Sequence, residues 1–206
     1  MPQLGSCVLF LSTGLMIHVN AFTPEQLFYG MPDADAEKFV NENKRIWTVL
    51  TSNLGYSTPI CQLDHYRCDG RTSCQLTRRS SINNRMVVGH FRVTFYATFT
   101  HRLNHGPPDV LEFRDRVTNK LLLRETVKYL SSASTCAVVD VYVSVQGGWV
   151  DLRVSQAASG QKLHSDCHIF FKELVADHAT RYGKANYSKR VYLPVCQKAY
   201  KIRDSA

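Results

Sequence analysis

The sequence predicts an all-β fold: an eight-stranded antiparallel up-and-down barrel, with a short helix at the N-terminal end and a C-terminal helix packed outside it. The first observation is a long alternating run from Met86 to His101. Gly89, Phe91, Val93, Phe95, Ala97 and Phe99 share one face, and His90, Arg92, Thr94, Tyr96, Thr98 and Thr100 share the other. Ordinary strands run about five or six residues, so a strand of this length belongs in a barrel or a large sandwich. The second observation is spacing: about eight such segments follow one another at regular intervals, mostly as sequence neighbours. The third is the stretch from Cys136 to Cys167, where a hairpin, a Ser/Gly/Gln loop and an amphipathic helix lie between two cysteines that can tie sheet to helix.

Taken in order, Met1 to Ala21 contains no Asp, Glu, Lys or Arg. Its apolar run from Val8 to Val19 is interrupted by Ser12, Thr13, Gly14 and His18 and ends in the small-residue pattern Val19-Asn20-Ala21. This predicts a secretory signal peptide over residues 1–21, because the apolar core is short of the roughly 20 residues a membrane span needs. No later segment is a span candidate. The chain has 206 residues and 44% hydrophobic content, so residues 22–206 are expected to form one well-buried barrel domain rather than two.

Pro32 to Val40 reads as the N-terminal helix, with early Asp residues suited to the helix dipole and Phe39 as its anchor. Ile46 to Ser52 is the first strand. Thr58 to Arg67 is the second, with Ile60, Gln62, Asp64 and Tyr66 on one side, and Asp69-Gly70 is a turn signal after it. Gln75 to Ser80 is a weak third strand, and Ser80 to Asn84 reads as loop. The long strand ends before the His105-Gly106-Pro107-Pro108 loop. Val110 to Val117 and Lys120 to Leu130 flank a Thr118-Asn119 turn, and Ala137 to Val145 and Trp149 to Ser155 flank Gln146-Gly147-Gly148. On that last strand Val150, Leu152 and Val154 share one face and Asp151, Arg153 and Ser155 the other, so one face is polar.

Ser165 is a good N-cap for a helix over Asp166 to Tyr182, whose stripe of Cys167, Phe170, Phe171, Leu174, Val175 and His178 should lie against the barrel, with Gly183 as its stop. Asn186-Tyr187-Ser188 is a glycosylation sequon in a polar loop, and Val191 to Cys196 reads as an extended tail.

Without the leader's Cys7, six cysteines remain: Cys61, Cys68, Cys74, Cys136, Cys167 and Cys196. Six allow about 15 connectivities, so spacing alone does not pair them. Cys61, Cys68, Cys74 and His65 are crowded as a metal site would be, but there is no Cys-x-x-Cys pair and an oxidising compartment favours disulfides, so neither metal nor cofactor is expected. A net charge of +8 and a pI near 9.2 fit adhesion to anionic surfaces, an anionic ligand or simple solubility. The basic residues are scattered, with short groups at Lys44-Arg45 and Arg78-Arg79 and no nucleic-acid motif beside them. An enzyme is not expected. His65, His90, His101, His105, His164, His168 and His178 are spread over different elements, without a Gly-x-Ser-x-Gly, His-Glu-x-x-His or phosphate-cradling loop.

Cys136, Val138, Asp151-Leu152 and Cys167 together resemble the pattern of the tick salivary histamine-binding lipocalins, a calycin-like family. That family has a strand-start Cys-Asp-Val, then Glu-Leu-Trp, then a cysteine. Asp151 stands for the Glu, Ala137 replaces the Asp and Arg153 replaces the Trp. Asp35-Ala36, Lys38 and Asn43-Lys44-Arg45 resemble the family's approach to the barrel. Trp47 lies near its floor tryptophan, without the usual preceding Gly, and Val191-Tyr192 closed by Cys196 resembles its tail.

The resemblance implies the pairs Cys136 with Cys167 and Cys61 with Cys196, leaving Cys68 with Cys74. It also implies a secreted monomer that sequesters a small host mediator, with no nucleic-acid or membrane partner. For an amine such as histamine or serotonin, Asp151 is the surviving motif carboxylate. Asp140 can replace the lost acid only through a bulge, with Tyr142 on the same face, and Trp149 and Trp47 are aromatic candidates. Arg153 either neutralises Asp151 as an ion pair or grips the carboxylate of an acidic lipid, a leukotriene or fatty acid, which related lipocalins bind. A third reading is a binder of a host defence protein, such as complement or a clotting factor, with the barrel as scaffold.

Overall fold

The structure, a computed structural model, describes residues 22–55, 57–70, 73–143, 147–161, 164–183 and 186–204. The leader expected over 1–21 lies outside these residues. Eight strands close into a barrel: β1 (Arg45–Thr51), β2 (Ile60–Cys68), β3 (Ser73–Ile82), β4 (Arg85–Tyr96), β5 (Val110–Asp115), β6 (Leu121–Leu130), β7 (Cys136–Val143) and β8 (Gly147–Ser155). Each pairs antiparallel with its sequence neighbour, and β1 pairs with both β2 and β8, which closes the ring. β1 leaves β2 after Trp47, and the two-residue β9 (Lys189–Arg190) takes up the vacated edge at Leu50 and Thr51.

Two apolar layers hold the molecule together. Inside the barrel, Ile46, Tyr66, Leu76, Val93, Leu111, Phe113, Val127, Val139 and Val141 pack with Phe39 and Val40 of α2 (Ala36–Glu42), so that helix plugs one end. Outside, α4 (Ser165–Tyr182) lays Phe170, Phe171, Leu174 and Val175 on Val138, Val150, Leu152 and Val154. All six residues of the expected stripe are buried, and Gly183 ends the helix at φ 61°, a left-handed conformation in which glycine has no Cβ penalty. The N-cap is His164, with no side-chain cap bond, rather than Ser165.

Several element boundaries differ from expectation, each for a local reason. The long strand stops at Tyr96, and Phe99–Leu103 form α3. The Thr98 hydroxyl accepts from the His101 N–H at 3.4 Å, while Asp109 fixes Thr98 by accepting from its N–H at 2.6 Å and its hydroxyl at 2.9 Å. That cap is hidden within an alternating Thr/Phe pattern. β3 runs on to Ile82 where a loop is expected, because Asn83 and Asn84, at φ 50° and 61°, form a tight turn that keeps both strands in register. The helix expected over Pro32 to Val40 begins at Ala36 as α2, whose Asp35 cap accepts from the Lys38 N–H at 2.8 Å, and a further helix that was not expected, α1 (Pro24–Tyr29), precedes it, set by a capping box between Thr23 and Gln26. The tail expected over Val191 to Cys196 is helical from Pro194 onward, where α5 (Pro194–Asp204) opens on a proline that suits a first helical position.

Disulfides join Cys61 to Cys196, Cys68 to Cys74 and Cys136 to Cys167. They are the pairs the resemblance implies, and they tie α5 to β2, β2 to β3, and β7 to α4.

Candidate functional site

β8 is buried on both faces from Val150 onward. Val150, Leu152 and Val154 face out under α4, so Asp151 and Arg153 face into the barrel, opposite Thr51 and Thr48 of β1. The polar face read from the sequence is therefore the interior. A bulge at Val49 shifts the β1 register between Thr48 and Leu50, which lets both threonines point inward. β2 adds Asp64 and Tyr66, β3 adds Arg78, and β6 adds Glu125.

These charges form one network. Arg153 donates from Nη1 to Asp64 Oδ2 at 2.9 Å, and from Nη2 to Glu125 Oε1 at 2.8 Å and Asp151 Oδ2 at 2.9 Å. Arg78 grips Asp64 with Nε and Nη2, each at 2.7 Å, and donates from Nη2 to Glu125 Oε1 at 2.8 Å. Its guanidinium lies 4.9 Å from the centroid of the Phe113 ring, a cation-π contact. Burial opposes charge on both arginines, but the carboxylates around them outweigh it and hold both above the usual arginine value. Burial, reinforced by Asp64 and Glu125, also pushes the Tyr66 phenol up.

Three carboxylates face two guanidiniums here, so one carboxylate is in excess. The excess falls on Asp151. Its Oδ2 accepts from Arg153, but Oδ1 has no hydrogen-bond partner among the described residues, although the residue is only 4% exposed. Burial pushes its carboxyl up, and Arg153 and the Thr51 hydroxyl only partly offset the shift. Asp151 borders a cleft of about 30 Å³ with Thr48, Thr51, Asn53, Gln62 and Trp149, beneath the β1–β2 loop. Gln62 donates to Thr48 at 2.9 Å, so its amide is held in place. The cleft has room for a water or for the head group of a ligand.

The raised Asp151 carboxyl has a measurable consequence. Its unfolded value is about 3.9, so above that pH the folded protein holds this proton more tightly than the unfolded chain does. Its contribution therefore makes stability fall as pH rises from about 4 toward the folded value. Asp151→Asn should flatten that part of the decline. Urea midpoints of both proteins between about pH 4 and 7 check this, and parallel curves would refute it.

The other expected site residues divide. Trp149 shares the inward parity of Asp151 and lines the cleft. Asp140 points outward, 3.6 Å from His178 Nε2 of α4, because β7 pairs with β8 without a bulge and Ala137 keeps the inward position. Tyr142, on the same outer face, is exposed. Trp47 also faces out, edge-on to Tyr192 at 5.0 Å and Tyr200 at 5.3 Å, in the layer beneath the C-terminal segments. Asn186 of the sequon is exposed. Sequence reasoning did not assign Asp64, Arg78 and Glu125 to the site. Their signal was there: each is a charged residue on the strand face that its apolar neighbours send inward.

No family model matches the chain, and no characterised protein sequence matches it significantly. Its architecture does match solved structures. That of AM182 in a serotonin complex aligns over 82% of this chain and 95% of that one, at 18% identity and TM-score 0.50. The siderocalin Ex-FABP aligns over 73% and 93%, at 7% identity and TM-score 0.51. Apocrustacyanin C2 aligns over 86% and 94%, at 12% identity and TM-score 0.52. With the closed eight-strand order, these likenesses decide the architecture. The fold is the lipocalin barrel. Identities this low carry the fold alone. An eight-stranded ring leaves an interior that is filled by side chains or holds one small ligand, and here Asp151 borders the cleft under the β1–β2 loop.

Proposed function

We propose that this lipocalin-fold protein captures a biogenic amine of the histamine or serotonin type, as a secreted scavenger of a host mediator. The ammonium would sit on Asp151 and the ring against Trp149. One observation carries the reading: a buried carboxylate oxygen without a partner, in a network with one acid in excess. A desolvated ammonium needs a paired carboxylate to offset the cost of leaving water, and an aromatic face adds cation-π attraction. A ligand of single positive charge would also balance the interior. The resemblance at Asp151-Leu152 supports the same class, and the serotonin complex of AM182 makes serotonin a natural probe.

The acidic-lipid reading is less well supported. Both Nη groups of Arg153, its carboxylate grip, already serve Asp64, Glu125 and Asp151, which leaves only its buried Nε without a partner among the described residues, and the unpaired Asp151 oxygen repels a second carboxylate. Secretion is supported by three disulfides, which persist in oxidising compartments. No described helix is long and apolar enough to cross a membrane.

Calorimetric titration with histamine, serotonin, a leukotriene and arachidonate, side by side, tests the proposal. The wild type should bind an amine, and Asp151→Asn should weaken that binding about a hundredfold or more, near 3 kcal/mol. Amine binding that survives Asp151→Asn, or binding of the lipids alone, would overturn the reading. A wild type that binds neither class would also overturn it and favour a protein partner at the surface.

A further inference from the structure

We infer that the outer wall of the barrel, between α1, β6, β7 and α4, binds a small zwitterion: a free α-amino acid with an aromatic side chain. The site is built on a bulge. The β6–β7 register shifts between Val127 and Tyr129, so Lys128 is an extra residue between an inward Val127 and an outward Tyr129. α1 is seated on this bulge. The Met31 N–H donates to the Lys128 carbonyl at 2.7 Å, and Gly30, at φ 89°, lies so close that a Cβ there would meet the Lys128 backbone at 3.2 Å. Lys128 Nζ in turn donates to the Phe28 carbonyl at 2.6 Å.

This seating leaves a pocket of about 210 Å³, whose walls include Phe28, Tyr29, Lys128, Asp140, His178 and Tyr182. Its space is that of about seven waters, enough for a free amino acid and too little for a folded partner. Two opposite charges face it without touching. The nearest group to Asp140 is His178 Nε2 at 3.6 Å, beyond hydrogen-bond reach, so the carboxylate accepts no hydrogen bond from a described residue. Lys128 spends one N–H on Phe28, and its other two have no partner among the described residues. Burial pushes the Lys128 ammonium down from its ordinary value, and Asp140 opposes that shift more than any other charge, although the two form no ion pair. Asp177, the other acid of the pocket, is spent on Arg181, whose Nε donates to both its oxygens at 2.7 Å.

A plain cation in this pocket is repelled by Lys128, and a plain anion by Asp140. A molecule that carries both signs satisfies each group with a charge-assisted hydrogen bond and leaves the pocket neutral. The side chain of such a ligand has rings to lie on: Phe28, Tyr29 and Tyr182 are 42%, 45% and 57% exposed. The pocket is outside the barrel, so the inference does not depend on what the interior binds.

Calorimetric titration of the full chain with L-phenylalanine, phenethylamine and 3-phenylpropionate tests this, since the last two each lack one of the charges. It is run on the Asp151→Asn protein, so that amine capture inside the barrel does not contribute. Phenylalanine should bind about tenfold more tightly than either analogue, and adding Asp140→Asn should weaken it about tenfold, the worth of one hydrogen bond to a charged group. Asp140 makes no hydrogen bond in the free protein, so its variant should fold normally, as circular dichroism checks. Lys128 is probed from the ligand side because it also holds α1 in place. Phenethylamine or 3-phenylpropionate bound as tightly as phenylalanine would overturn the inference, and so would phenylalanine binding that survives Asp140→Asn. A protein that binds none of phenylalanine, tyrosine and tryptophan would overturn it as well, while leaving the amine reading of the interior untouched.

Discussion

Arg153→Ala is expected to lower the unfolding free energy by about 3–5 kcal/mol, among the largest losses available to a single substitution in this chain. The side chain is 3% exposed and makes three hydrogen bonds to three carboxylates. Without it, Asp64 and Glu125 share Arg78 alone, and Asp151 keeps only the Thr51 hydroxyl for company. Uncompensated charge stays in a medium that solvates it poorly, and this costs more than the ion pairs contributed. Arg153→Lys should recover part of the loss, since an ammonium restores charge but not the fork that reaches three partners. Asp151→Asn should change stability by less than about 1 kcal/mol, because it removes the acid that is in excess. Guanidinium denaturation of the three variants checks the order. A cost below about 1 kcal/mol for Arg153→Ala would mean that the network does not hold the interior together.

Replacing Cys61 and Cys196 together by alanine is expected to cost about 5 kcal/mol. The bridge closes a loop spanning 135 residues, and in the chain-entropy account the contribution grows with loop length. Cys68 and Cys74, six residues apart, should cost about 2 kcal/mol when replaced in the same way. The long bridge also has a local role: it fixes α5 against β2, where the Tyr200 hydroxyl donates to the Cys61 carbonyl at 2.8 Å and the ring packs on Trp47 at 5.3 Å. Loss of the bridge should therefore expose Trp47 before the barrel melts, seen as a red shift of tryptophan emission at denaturant concentrations below the main transition. Equal costs for the two pairs, measured by chemical denaturation, would count against the loop-length argument.

Local pattern was enough to make much of the molecule legible. The alternation of β4, β6 and β8, the α4 stripe and its glycine stop all report on residues a few positions apart, and a one-residue slip would flip every side chain to the wrong face. The seven cysteines and the Asn186-Tyr187-Ser188 sequon are compositional facts. Boundaries were less legible where a single side chain decides them: the Thr98 cap that opens α3 sits in a run that alternates like a strand, and the Asn83-Asn84 turn prolongs a β3 whose alternation is weak.

Tertiary structure decided which face was the inside. Alternation says that Asp151 and Arg153 oppose Val150 and Leu152, but not that the barrel encloses the polar pair while α4 covers the apolar one. It also decided that Asp140 and Trp47 lie outside, since the unbroken β7–β8 register leaves no bulge to turn Asp140 inward and Tyr192 and the α5 residue Tyr200 pack on Trp47. The network itself joins Asp64 to Arg153 across 89 residues and Arg78 to Glu125 across 47. No local spacing relates such residues, because the charges meet only when closure of the ring brings β2, β3, β6 and β8 around one interior. Once they meet, the surplus carboxylate is left in a low-dielectric interior with one oxygen, Asp151 Oδ1, without a hydrogen-bond partner among the described residues, where an unpaired polar group is costly.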